Sequence, residues 1–115
     1  MTVSDLVASY LETWNETDAA ARRKAIDGLW APDGVYTDPM AVAAGRDQID
    51  ALIAAVQAQF PGLAFTLAGP VDAHHDTARF SWNLGDELVI GFDVLALNAD
   101  GRISNVYGFL DKVPS

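Results

Sequence analysis

Three side chains of this 115-residue sequence have types and settings suited to handling a proton. Asp38 is the lone charge in Val35-Tyr36-Thr37-Asp38-Pro39-Met40-Ala41-Val42-Ala43-Ala44-Gly45, at the exit of a short strand where Asp-Pro also serves as turn punctuation. Asp93 interrupts Leu88-Val89-Ile90-Gly91-Phe92-Asp93-Val94-Leu95-Ala96-Leu97, a strand otherwise apolar at both parities, so neither of its faces reads as solvated. Desolvation there raises a carboxyl's pKa, and the protonated group becomes a hydrogen-bond donor. Tyr10 falls on the apolar stripe of a first helix, where a buried phenol needs a partner or a ligand. Two carboxyls whose environments push them apart, with Asp38 ionised near a pocket mouth, provide what proton transfer requires.

Other residues define walls or invite different chemistry. Trp82 shares strand parity with Phe80 and Leu84, while Arg79, Ser81 and Asn83 take the other face. On the last strand Val106, Gly108 and Leu110 face inward, with Gly108 leaving room for a ligand, and Asn105, Tyr107 and Phe109 face outward. Trp14, Trp30, Ile53, Phe80, Trp82, Val106, Gly108 and Leu110 are therefore the expected pocket lining. His74-His75 beside Asp76 suggests a metal or a histidine base, but strand neighbours point to opposite faces and cannot chelate one ion. The pair reads as a loop end, with no metal site and no cofactor.

These residues need elements to hold them. The length fits one domain spanning residues 1–115, and half the residues are apolar, enough for a core. There is no cysteine, hence no disulfide or thiolate chemistry. A net charge of −9 repels phosphate backbones, and the only basic run, Arg22-Arg23-Lys24, reads as the solvated face of a helix, which argues against nucleic acid as a partner. No basic residue precedes an apolar run at the start and no segment approaches a membrane span, so the expected location is the cytoplasm, away from membranes.

Helical spacing predicts a first helix from an N-cap at Ser4, with a stripe of Leu6, Val7, Tyr10, Leu11 and Trp14. Asp18 caps a second, with the stripe Ala21, Ala25, Ile26, Leu29 and Trp30, stopped by Pro32-Asp33-Gly34. A third carries Ile49, Leu52, Ile53, Val56 and Phe60 and ends at Pro61-Gly62. Strands are expected over 63–68, 76–84, 88–97 and 103–110, with Asn98-Ala99-Asp100-Gly101 as a hairpin turn. The class is α+β: three N-terminal helices packed on a curved antiparallel sheet, forming a cone with an apolar pocket.

The order of elements and the stretches LWAPDGVYTDPM, GRDQIDALI and GFDVLALNADGRISNVYGF resemble the SnoaL-like branch of the nuclear transport factor 2-like superfamily over nearly the whole chain. Within it, the opening stretch is similar to ketosteroid isomerases. That resemblance implies a general base at Asp38 and an oxyanion hole made by Tyr10 and a protonated Asp93. It also implies supporting buried tyrosines on the second and third helices, where this sequence has Trp30 and Ile53 instead. The epoxide hydrolase type of the superfamily has Arg-x-Asp on a central strand, and Arg79-Phe80-Ser81 lacks that acid.

The combined expectation is a cofactor-free pocket for a small apolar carbonyl or phenolic compound, with isomerase- or cyclase-like proton transfer by Asp38, Tyr10 and Asp93. The alternative is a non-catalytic binding or dimerisation module of the same fold. Outward aromatics at Tyr107 and Phe109 suggest a homodimer through the outer sheet face.

Overall fold

Thr2, rather than Ser4, caps the first helix. Its hydroxyl accepts from the Asp5 N–H and its own N–H donates to the Asp5 carboxylate, each at 3.1 Å, a reciprocal box that moves the start back by two residues. The computed structural model describes residues 2–114. Helix α1, Val3–Asn15, turns Leu6, Val7, Tyr10, Leu11 and Trp14 inward as its stripe requires. Helix α2, Ala19–Leu29, is capped by Asp18, whose carboxylate accepts from the Ala21 N–H at 2.8 Å.

Two expectations for α2 are corrected. Its buried positions are Arg22 and Ile26, while Ala21 is exposed. Arg22 is no part of a solvated face: Nε donates to Asp50 at 2.6 Å, and Nη1 donates to Gln57 at 3.1 Å and to the Glu16 carbonyl at 3.2 Å. Acceptors from the end of α1 and from the third helix replace the water that a guanidinium would otherwise keep. The helix also ends before Trp30. Pro32 disfavours helical geometry at Ala31, and strand β1, Trp30–Thr37, begins there, with Pro32-Asp33-Gly34 inside a register irregularity between Trp30 and Val35.

Strand β2, Val42–Ala44, pairs back on β1. Helix α3, Arg46–Gln59, follows, and Arg46 anchors its start by donating to the Trp30 carbonyl through Nε at 3.1 Å and Nη2 at 2.6 Å. Then come β3 (Phe65–Leu67), β4 (Asp72–His74), β5 (Thr77–Leu84), β6 (Val89–Leu97) and β7 (Ile103–Lys112). The sheet runs β2-β1-β7-β6-β5-β3, with β4 also on β5. It is mixed rather than wholly antiparallel, because β1 and β7 run parallel. β2 and β4, of three residues each, are not among the expected strands.

The core lies between the helices and the inner face of the sheet. Val7, Ile26, Ile53, Leu95, Ile103 and Val106 are fully buried there, while Tyr107 and Phe109 remain exposed on the other face. Among the described residues, no helix is long and apolar enough to cross a membrane.

Candidate active site

Asp93 on β6 and the Tyr36/Asp38 pair at the end of β1 are separated by a single strand, β7. On that strand Gly108 stands opposite Asp93, and Val106 stands opposite Tyr36. Adjacent strands lie about 4.8 Å apart, so side chains that lean over the middle strand can meet if nothing projects from it. Gly108 supplies that gap. A side-chain carbon there would come within 3.1 Å of Asp93 Oδ1, 3.2 Å of the Tyr36 hydroxyl and 3.3 Å of Asp38 Cβ. The space expected for a ligand over Gly108 is thus filled by the protein's own polar groups, which this glycine lets approach one another.

Asp93 is 3% exposed and accepts on both oxygens. The Trp82 indole donates to Oδ1 at 3.0 Å and the Tyr10 hydroxyl to Oδ2 at 3.3 Å. Trp82 lies opposite Gly91, where any side chain would collide with the indole and with the Phe109 carbonyl, so a second glycine makes way for the donor. Burial pushes the Asp93 pKa up to about 7; bonds from Trp82 and Tyr10 oppose the rise and the negative Asp38 adds to it. Burial, and then the neighbouring Asp93 charge, also push the Tyr10 phenol well above its ordinary range. Tyr10 therefore remains a donor, whereas Asp93 can give or take a proton near neutrality.

Asp38 is held from three directions. Tyr36 donates to Oδ2 at 2.8 Å, and the backbone N–H groups of Met40 and Ala41 donate to Oδ1 at 2.8 and 2.9 Å, an Asx turn closing the strand exit. Turn residue and placed carboxylate are the same object here. The Tyr36 phenol is raised above its ordinary pKa by burial and by the charges of Asp93 and Asp38, so it too stays protonated. Asp38 Oδ1 thus accepts two bonds and Oδ2 one, and a carboxylate oxygen can accept more than one.

Tyr10, Asp38 and Asp93 line one cavity of about 350 Å³, together with Tyr36. Its walls are otherwise largely apolar: Leu11 and Trp14 from α1, Leu52, Val56 and Phe60 around α3, Phe65, Trp82, Leu84, Val89 and Leu110 from the sheet side. Of the eight residues expected to line it, Trp14, Trp82 and Leu110 do. Trp30, Ile53, Phe80 and Val106 do not; all four are buried in the core behind the cavity wall, and Gly108 lies under the acids. Strand parity and helical stripes say which side chains point inward, but not which inward ones are capped by others. Phe80 packs on Tyr10 in a T-shaped pair with centroids 5.8 Å apart, and Tyr10, not Phe80, meets the cavity. The Trp30 indole N–H is buried without a partner.

His74 and His75 are exposed at the β4–β5 hairpin, His75 with a φ of 51°, and neither lines the cavity. Among the described residues, no group of three His, Asp or Glu side chains is arranged to hold a metal. Two participants went unread in the sequence. Tyr36 precedes Asp38 by two residues, so extended backbone at the exit of β1 turns both to one side, and that spacing is the available signal. Trp82 is a wall residue by strand parity, and the same inward parity sets it beside Asp93 on the neighbouring strand.

Residues 7–106 match the SnoaL-like domain family, and the chain belongs to it. A structure described as a proposed isomerase of the SnoaL-like family from Agrobacterium tumefaciens strain C58 is 43% identical, with a TM-score of 0.90 over 93% of this chain and 95% of that one. A proposed ketosteroid isomerase from Kribbella flavida is 25% identical, with a TM-score of 0.72 over 96% of this chain and 78% of that one. A proposed SnoaL-like polyketide cyclase from Jannaschia sp. CCS1, 18% identical with a TM-score of 0.72 over 94% of this chain and 86% of that one, shares the fold. No curated protein matches the chain.

Proposed function

We propose that the cavity binds a small, largely apolar carbonyl or phenolic compound and moves a proton at the carbon beside the carbonyl, without a cofactor. The observation that supports this most is the meeting of Asp38, Asp93 and Tyr10 at the polar end of one otherwise largely apolar cavity. Asp38 is the base, oriented by Tyr36 and two backbone amides, with a single bond at Oδ2. Tyr10 and protonated Asp93 are the donors to the developing enolate oxygen. The 3.3 Å Tyr10–Asp93 bond is longer than the usual O–H···O separation of about 2.7–2.8 Å, so a ligand oxygen between the two replaces a weak contact by two stronger ones. The likeness to a proposed isomerase at 43% identity is in keeping with this chemistry.

Hydrogen–deuterium exchange at the carbons flanking the ketone of 2-tetralone, followed by NMR, tests the reading. The protein should accelerate exchange over buffer and Asp38→Asn should abolish the acceleration; no acceleration by the wild type counts against it. One observation favours a non-catalytic ligand-binding module instead: both Asp93 oxygens are already engaged by Trp82 and Tyr10. The same exchange experiment decides between the two. The outer sheet face, where Phe92 and Phe109 stack with centroids 4.8 Å apart beside the exposed Tyr107, is the proposed homodimer contact.

A further inference from the structure

The cavity wall carries a charge pattern that narrows what can enter. Four lining rings form a chain: Tyr36 to Trp14 with centroids 5.3 Å apart, Trp14 to Phe65 at 5.6 Å, and Phe65 to Trp82 at 5.3 Å. Each end of the chain holds a carboxyl group, for Tyr36 donates to Asp38 and Trp82 donates to Asp93. The two ends come together again over Gly108. Rings and acids thus make a closed circuit at one end of the cavity. Among the described residues, no lysine, arginine or histidine lines it. Arg22 and Arg46, the two most buried basic side chains on α2 and α3, are taken up by Asp50 and by the Trp30 carbonyl.

We propose that the ligand of this site carries a cationic amine, seated against the aromatic chain with Asp38 as its counter-charge. This names a substrate class for the site described above. It rests on that reading only as far as the cavity being a ligand site, since it assumes no proton transfer. Aromatic rings attract a cation through their quadrupole, and the attraction grows when the cation leaves water. Carboxylates in a poorly solvated wall act over the same short range with little screening. A carboxylate or phosphate ligand meets the opposite situation: it adds negative charge beside Asp38, with no basic group to receive it. The volume of about 350 Å³ admits an amine of one or two rings.

Benzyltrimethylammonium and neopentylbenzene share one shape and differ by a charge, and phenylacetate supplies the opposite sign. Each is titrated into the intact protein at pH 8 and followed by the indole N–H resonances. The ammonium should bind on the order of tenfold more tightly than the hydrocarbon, with phenylacetate weakest, and Asp38→Asn should remove much of the ammonium's advantage. Phenylacetate or the hydrocarbon binding as tightly as the ammonium overturns the assignment, as does a failure of all three to bind. A kept preference for the cation without any ketone exchange sinks the proton-transfer reading alone.

Discussion

The Asp93 carboxylate and the Tyr36 hydroxyl, carried by strands that are not neighbours, both lie within 3.2 Å of the point where Gly108 would place a side-chain carbon. The missing methyl group on β7 is what lets the two halves of the polar cluster approach. At an ordinary strand position an added methyl is neutral or favourable, because glycine weakens strands. Gly108→Ala should instead destabilise the protein by about 1–3 kcal/mol in urea unfolding, as the acids and the phenol are forced apart. Wild-type stability in that variant would mean that the cluster has slack, and that the glycine does not set its geometry.

Asp93 keeps its proton up to about pH 7 in the folded protein, against about 3.8 for an ordinary aspartate. The folded state therefore binds more protons between those values, and this group's favourable contribution is complete below about pH 4 and is lost as pH rises through about 7. Asp93→Asn cannot ionise and retains an acceptor for one of its two donors. The variant should be more stable than wild type by about 1–4 kcal/mol at pH 8, with the difference shrinking toward pH 4. Urea unfolding at pH 4, 6 and 8 measures it, and a difference that does not change with pH contradicts a buried ionisation at this site.

Tyr107 and Phe109 are 44% and 47% exposed on the outer face of β7. If this face joins two copies, Tyr107→Glu together with Phe109→Lys should convert a dimer to a monomer in light scattering, with the fold retained by circular dichroism. A wild type that is already monomeric at micromolar concentration removes the proposal.

Asp38, Asp93 and Tyr10 are legible in the sequence because each breaks a local pattern: a charge in an apolar stretch, a carboxyl in a strand apolar on both faces, a phenol on a buried stripe. Their common cavity is a tertiary fact. It depends on β1 lying parallel to β7, a pairing between segments about seventy residues apart that no local periodicity encodes. Arg22 shows the same limit from the other side. Helical position alone puts it in a basic run facing water, and only the arrival of Asp50 and Gln57 from α3 makes its burial possible. Local pattern points Trp30 and Phe80 inward, but whether an inward ring meets a cavity or another ring is decided by packing across elements.

The proposed reaction needs Asp38 as a base facing donors at Tyr10 and Asp93 across a ligand oxygen. A naphthol taken up as its anion mimics the enolate, accepts from the donors and is repelled by Asp38. The direct measurement is the affinity of a fluorescent naphthol for four proteins at pH 7: wild type, Asp38→Asn, Tyr10→Phe and Asp93→Asn. Asp38→Asn should bind more tightly than wild type with the anion favoured in its emission. Tyr10→Phe should bind more weakly by about 1–3 kcal/mol, and Asp93→Asn by less because its amide still donates. Equal affinities across all four, or no binding to any, would contradict proton transfer by these three residues.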